Sequence, residues 1–132
     1  MFATLVSRQL LSFKVFFDVI EIHAGCGSGK YLGINPMVFN IGTDRCQALT
    51  GIAREKEHEV MLSDNLALPF RDMSIDAVLS IAVIHHIATA ERRVHALREL
   101  ARVLRVGGRV MISVWAMEQR QRKFESQVGL YL

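Results

Sequence analysis

Apolar residues fall into five short runs set apart by polar or glycine-bearing segments. The first, Val15 to Ile22, is rich in Phe, Val and Ile and runs into Gly25-Cys26-Gly27-Ser28-Gly29, the pattern of a strand feeding a glycine turn. Val38 to Thr43 predicts a second strand closing on Asp44, Glu59 to Ser63 a third ending on Asp64-Asn65, and Arg109 to Trp115 a fifth. The fourth run, Ile75 to Ile84, is apolar without alternation, which predicts a strand buried on both faces at the centre of a parallel sheet. Helical spacing appears between the runs. Gln47 to Glu57 places Leu49, Ile52 and Ala53 on one face, and Glu91 to Arg105 does the same with Val94, Leu97, Leu100, Ala101 and Leu104 before Gly107-Gly108 offers a left-handed stop. A shorter helix is expected over Lys30 to Ile34, halted by Asn35-Pro36, and Leu66 to Asp72, with Pro69, reads as a loop. Strands alternating with helices predict an α/β fold, a doubly wound parallel sheet of about five strands.

With 132 residues, 51% of them hydrophobic and 22% charged, the chain has the content of one folded domain and excludes general disorder. Its formal charge of +3 comes from a modest excess of Lys and Arg, much of it between Arg92 and Lys123. This is compatible with an RNA partner without demanding one. Cys26 and Cys46 have no zinc-like spacing, so a reducing intracellular compartment is the default. Arg8, Lys14, Asp18 and Glu21 interrupt the apolar opening stretch, leaving neither a signal core nor a membrane span. Because Arg8 and Lys14 precede the first acidic residue, a mitochondrial presequence stays open as a lesser alternative.

The chemistry-bearing residues cluster at strand ends. Gly25, Gly27 and Gly29 follow the first strand, where the backbone must turn sharply and let a ligand approach. Asp44 lies at the end of the second, suited to accept hydrogen bonds from both hydroxyls of a ribose and also able to cap the following helix. Asp64 and Asn65, after the third, suit an adenine edge. Glycine at alternate positions differs from the spacing that seats a pyrophosphate on a helix N-terminus, so S-adenosylmethionine is favoured over a nicotinamide cofactor. His85, His86, Arg92 and Arg93 follow the fourth strand, at the edge where such sheets bind ligands. Successive residues in extended chain point opposite ways, so one histidine is expected to face the pocket, His85 before His86. No third ligand accompanies the histidine pair, and no metal site is expected.

The segments GCGSGKYLG (Gly25 to Gly33), DNLALPFRD (Asp64 to Asp72), SIAVIHH (Ser80 to His86), TAERR (Thr89 to Arg93) and VWAMEQ (Val114 to Gln119) resemble the methyltransferase domain of the tRNA carboxymethyluridine methyltransferases. That family includes a domain fused to an AlkB-like hydroxylase in animals and a stand-alone animal relative. The resemblance implies a Rossmann-like class I methyltransferase domain over residues 1–119, with residues 1–22 atypical and 120–132 a polar tail. It implies S-adenosylmethionine held by Gly25, Gly27, Gly29, Asp44, Asp64, Asn65 and Ala82. His85, His86 and Arg92 would hold the carboxylate of 5-carboxymethyluridine, which becomes a methyl ester. It also implies a tRNA anticodon loop and a small zinc-binding activator subunit as partners, and work in the cytoplasm, with the nucleus also open. Trp115, which can stack on a base or pack in the core, and Glu118 are expected on the same edge.

The chain departs from this family in two places. His23 stands where an acidic residue is usual, and Glu21, two places back, replaces it only if the strand register shifts. Seven strands are usual and five are legible here, so a C-terminally truncated form is expected. The alternative to an enzyme is accordingly an inactive remnant acting as a binding or regulatory module, and a third reading is methylation of a small carboxylic acid.

Overall fold

A computed structural model of the chain describes residues 19–114. They form β1 (Val19–Ala24), β2 (Val38–Asp44), α1 (Gln47–Glu55), β3 (Val60–Leu62), β4 (Ile75–Ile81), a 3-10 turn over Ile84–His86, α2 (Ala90–Val103) and β5 (Leu104–Ser113). The opening segment before Val19, together with Trp115, Glu118 and the polar tail, lies outside the described residues.

The five described strands pair in parallel in the order β3-β2-β1-β4-β5. Parallel neighbours need crossovers, and right-handed crossovers leaving β1 in opposite directions put their connections on opposite faces. The sheet is thus doubly wound, with its topological switch between β1 and β4. β1, rather than the more apolar β4, is the central strand. β4 is still covered on both sides. Val78 packs with Ile22 and Ala24 of β1, Leu68, and Leu100 and Val103 of α2, while Leu79 packs with Met111, Tyr31 and Ile34 on the opposite face.

β1 and β2 run in unbroken register from Val19 opposite Val38 to Ala24 opposite Thr43, so no slip moves Glu21 into the place of His23. Residues 30–34 form turns, not the expected helix. Asn35 Oδ1 accepts the Met37 N–H at 3.0 Å, and the turns lay Tyr31 and Ile34 over the sheet.

Each helix buries only part of the face its apolar spacing suggests, Ala53 in α1 and Leu100 in α2. In α1 Thr50 and Ala53 are buried while Leu49 and Ile52 are exposed. In α2 the buried stripe is Ala96, Leu100 and Val103, leaving Val94 and Leu97 exposed. Thr89 caps α2, its Oγ1 accepting the Arg92 N–H at 3.2 Å.

No left-handed stop ends α2. Its last carbonyls are closed from elsewhere: Arg102 O accepts the Met73 N–H and Val103 O the Ser74 N–H, both at 2.9 Å, and the chain continues straight into β5. Gly107, with φ +79°, falls inside β5 where the pairing with β4 shifts register, a bulge rather than a cap. Arg102 also braces the loop before β4. Its guanidinium donates to Leu68 O (3.0 Å), Phe70 O (2.9 Å), Asp72 Oδ1 (2.7 Å) and Glu99 Oε1 (2.7 Å). Among the described residues no helix is long and apolar enough to cross a membrane.

Candidate functional site

The C-terminal ends of β1, β2, β3 and β4 face one crevice. At its floor the chain leaves β1 through Gly25 and Cys26, whose N–H groups both donate to Thr43 O at 2.8 Å, tying the glycine loop to β2. Asp44 then holds both sides of the crevice. One carboxylate oxygen accepts the Gly27 N–H and the other the Cys46 N–H at the start of α1, each at 2.8 Å. A carboxylate offers about four lone-pair positions, so Asp44 keeps acceptor capacity for hydroxyls of a ligand.

The three loop glycines have different surroundings. Gly27 has φ +55°, and a Cβ there would meet no atom within 4 Å, because the position opens on the crevice. A Cβ on Gly29, φ +77°, would lie 2.8 Å from His58 Cδ2 and 3.2 Å from Ala53 Cβ. Gly29 therefore faces the α1–β3 turn and does not line the crevice, contrary to its expected place among the ligand-contacting residues. Gly25 lies on the crevice, against Val83. Lys56 holds the loop from behind, its Nζ donating to Ser28 O at 2.9 Å.

The crevice encloses about 490 Å³, within the range of small-molecule sites. Gly25, Gly27, Asp44, Asp64, Asn65 and Ala82 line it together. Asp64 Oδ1 accepts the Leu66 N–H at 3.0 Å, which shapes the loop after β3. Asn65 Oδ1 is buried with no hydrogen-bond partner in the protein, a polar atom prepared for a donor. Ala82 has φ +56°, a conformation disfavoured for any residue with a Cβ, and its N–H donates to Ser113 O at 2.8 Å. Such strain persists where the surroundings enforce it, commonly at ligand sites.

His86 and Arg92 lie on the rim of the same crevice. His85 does not line it. The two rings contact each other, centroids 4.3 Å apart and tilted by 54°. Partial burial and the neighbouring His86 charge hold the His85 imidazole below the usual histidine range. The expected preference for His85 over His86 is reversed because the pair lies in a 3-10 turn, not in extended chain, so strand alternation does not apply. Arg93 has a structural role: its Nη1 donates to Ile87 O at 2.9 Å and Ala88 O at 3.2 Å. Arg45, Leu49 and Ser63 also line the crevice. Sequence reasoning missed them, although each lies within two residues of, or one helical turn from, an acidic strand end. Among the described residues no cluster of His, Cys, Asp or Glu could hold a metal ion. Burial, then the Asp44 charge, push the Cys26 thiol up to about 11, so it stays protonated beside the loop.

A switch-point crevice with open glycine backbone after β1, a carboxylate with spare acceptor capacity at the end of β2 and an orphaned amide oxygen after β3 fits an α/β domain for a nucleoside cofactor. Residues 22–112 match the family described as "Methyltransferase domain", and the chain belongs to it; its cofactor is S-adenosylmethionine. Over 103 residues it is 57% identical to a protein of Mus musculus named "Probable tRNA methyltransferase 9B", covering 78% of this chain and 23% of that one. Over 108 residues it is 57% identical to the tRNA (carboxymethyluridine(34)-5-O)-methyltransferase ALKBH8 of Mus musculus, covering 82% of this chain and 16% of that one. The chain thus spans less than a quarter of the length of either relative. Among solved structures, a chain in the complex between the Haloferax volcanii Trm112 methyltransferase activator and a methyltransferase superposes with a TM-score of 0.67 at 23% identity. That match covers 82% of this chain and 51% of the other, a likeness of fold.

Proposed function

We propose that the domain transfers the methyl group of S-adenosylmethionine to the carboxylate of 5-carboxymethyluridine at the wobble position of a tRNA anticodon loop, giving the methyl ester and S-adenosylhomocysteine. What carries the reading is the presence of His86 and Arg92 on the rim of the crevice that Asp44, Asp64 and Gly27 line, in a chain 57% identical over most of its length to an enzyme named for that reaction.

Bound there, S-adenosylmethionine supplies an electrophilic methyl on a sulfonium. The residues fit the rest of the molecule: Asp44 suits the ribose hydroxyls, Asp64 and Asn65 the base, and the bare backbone at Gly25 and Gly27 a close approach. A simple carboxylic acid, with pKa about 4, is ionised at neutral pH, so no side chain needs to act as general base. The protein's task is to hold that carboxylate in line, an effect that reaches roughly 7–11 kcal/mol in favourable intramolecular reactions. Arg92 offers a fixed fork of donors for it and His86 a ring N–H beside it. A small zinc-binding activator subunit is part of the proposal, as is work in the cytoplasm.

The test is methyl transfer from labelled cofactor to tRNA bearing carboxymethyluridine, with and without the activator. Transfer is expected, and Arg92→Ala should raise the KM for tRNA about tenfold while leaving S-adenosylhomocysteine affinity unchanged. Absence of transfer in both conditions, with cofactor binding intact, would mark the chain as a binding module and reject the enzyme reading.

A further inference from the structure

α2 carries four arginines, and two of them are committed within the domain. Arg93 holds Ile87 O and Ala88 O, and Arg102 clasps Glu99 and the loop before β4. Arg92 and Arg98 are exposed, and among the described residues neither side chain donates a hydrogen bond or forms an ion pair. An exposed helix commonly sets acids three or four places from its cations, where they support it. Here the positions at that spacing from Arg98 are Val94, His95, Ala101 and Arg102, and those from Arg92 within the helix are His95 and Ala96. The acids of α2 stand elsewhere. Glu99 is bonded to Arg102 and the Leu68 N–H, and Glu91 has Val94 and His95 at its own +3 and +4 positions. Two guanidinium charges on one surface are left without a counter-charge from their own helix.

Arg92, His95 and Arg98 follow one another at i, i+3 and i+6, which is one ridge of a helix surface, and all three are exposed. Arg92 stands on the rim of the crevice, beside Ile87 and Ala88. From there α2 runs away from the opening, because Leu104, the residue after its last, pairs with Ile75 at the start of β4. The ridge thus begins at the crevice and descends the outside of the domain. Between Arg92 and Arg98 it covers about 9 Å along the axis, the length of two or three nucleotides at the roughly 3.4 Å rise of a stacked strand. Helical side chains lean toward the N-terminus, so Arg98 leans back toward the opening.

We propose that this ridge carries the phosphate backbone of an RNA substrate, Arg98 gripping a phosphate two or three nucleotides from the base that enters the crevice, with His95 as a further donor between the two guanidiniums. The inference rests on the RNA reading given above and adds a docking surface to it. A small carboxylic acid fills the rim at Arg92 and reaches no further along α2. An acidic protein segment brings negative charge to the ridge but no nucleotide to the crevice, whereas RNA accounts for both ends.

The probe is an anticodon stem-loop RNA bearing 5-carboxymethyluridine, bound to the whole chain and followed by fluorescence anisotropy from about 50 to about 200 mM salt. Arg98→Gln should raise its Kd about three- to tenfold and lower the slope of log K against log salt by the share of one phosphate, roughly 0.7–0.9. Arg98→Lys should recover most of that slope, since a lysine serves a phosphate as a point charge. In methyl transfer the Arg98→Gln loss should appear in KM for the stem-loop, with kcat kept and transfer to the free 5-carboxymethyluridine nucleoside unchanged. Arg54→Gln, the same charge change on exposed α1, should leave Kd and slope alone. Unaltered S-adenosylhomocysteine affinity shows that the variants are folded. A wild-type Kd and slope in Arg98→Gln, an equal loss in Arg54→Gln, or no stem-loop binding by the wild type overturns the ridge as an RNA track. So does tighter binding of polyglutamate with the same dependence on Arg98, which makes the ridge a protein-docking site. Stem-loop binding through Arg98 without transfer to either acceptor rejects the enzyme reading and leaves the ridge standing.

Discussion

Alanine at Gly27 and at Gly29 separates the ligand side of the glycine loop from its packing side. Both glycines have positive φ, so each substitution carries about 1–2 kcal/mol of backbone strain. At Gly27 the new methyl meets no protein atom within 4 Å, and the loss of stability should stop there. At Gly29 it lies 2.8 Å from His58 and 3.2 Å from Ala53. Ala53 is buried within α1 and cannot give way, and His58 packs on the loop from the α1–β3 turn, so overpacking adds about 1–3 kcal/mol. Urea unfolding should therefore show Gly29→Ala losing about 2–5 kcal/mol and Gly27→Ala about 1–2 kcal/mol. Calorimetry with S-adenosylhomocysteine should show the reverse order, because the Gly27 methyl projects into the crevice. There a tenfold or greater loss of affinity, about 1.4 kcal/mol, is expected. Equal destabilisation by the two variants, or wild-type affinity in Gly27→Ala, would refute the assignment of front and back.

Asp44→Asn keeps one acceptor oxygen where two backbone N–H groups now bind, and should weaken S-adenosylhomocysteine about ten- to hundredfold in the same titration, since bonds to charged groups are worth about 1.5–3 kcal/mol. Arg102→Met removes three hydrogen bonds to the loop before β4 and the one to Glu99, and should cost about 2–3 kcal/mol of stability by chemical denaturation, with the crevice's ligand affinity unchanged. The bond from Arg102 holds the Glu99 carboxyl below the usual carboxylate range, so its stabilisation is complete above the unfolded pKa and disappears as pH falls through the lower folded value. Unfolding measured from pH 6 down to pH 2 should show that loss in the wild type and much less of it in Arg102→Met. At pH 8 iodoacetamide should label exposed Cys46 well before Cys26, whose thiol is pushed up to about 11.

What was legible in the amino-acid order was the set of strand ends. A glycine turn or an acidic residue closing an apolar run is a local signal, and the parallel sheet follows from the alternation of runs and helices, so Gly25, Gly27, Asp44, Asp64 and Asn65 line one crevice, together with Ala82, which only the family resemblance had pointed to. Illegible were features decided by distant partners. Nothing near Val103 shows that its carbonyl is closed by Ser74, so Gly107-Gly108 looked like the stop. The chain turns away after α1 at a non-glycine left-handed residue, Glu57 at φ +63°, with the His58 N–H reaching Ala53 O at 3.2 Å. That leaves no glycine to mark the end and hides the packing of His58 on Gly29. The choice between His85 and His86 failed because a 3-10 turn replaced the extended chain on which alternation depends. His23 was visible as a residue, but the reach of its Nε2 to Asn40 Oδ1 on β2, at 3.2 Å, depends on strand pairing.

The seamless passage from α2 into β5 ties together parts of the chain some thirty positions apart. With Met73 and Ser74 closing the helix carbonyls and Arg102 clasping Leu68 and Phe70, the approach to β4, the exit of α2 and the first residues of β5 cannot open one at a time. Their amide hydrogens should exchange with solvent as a single unit, at one shared opening free energy.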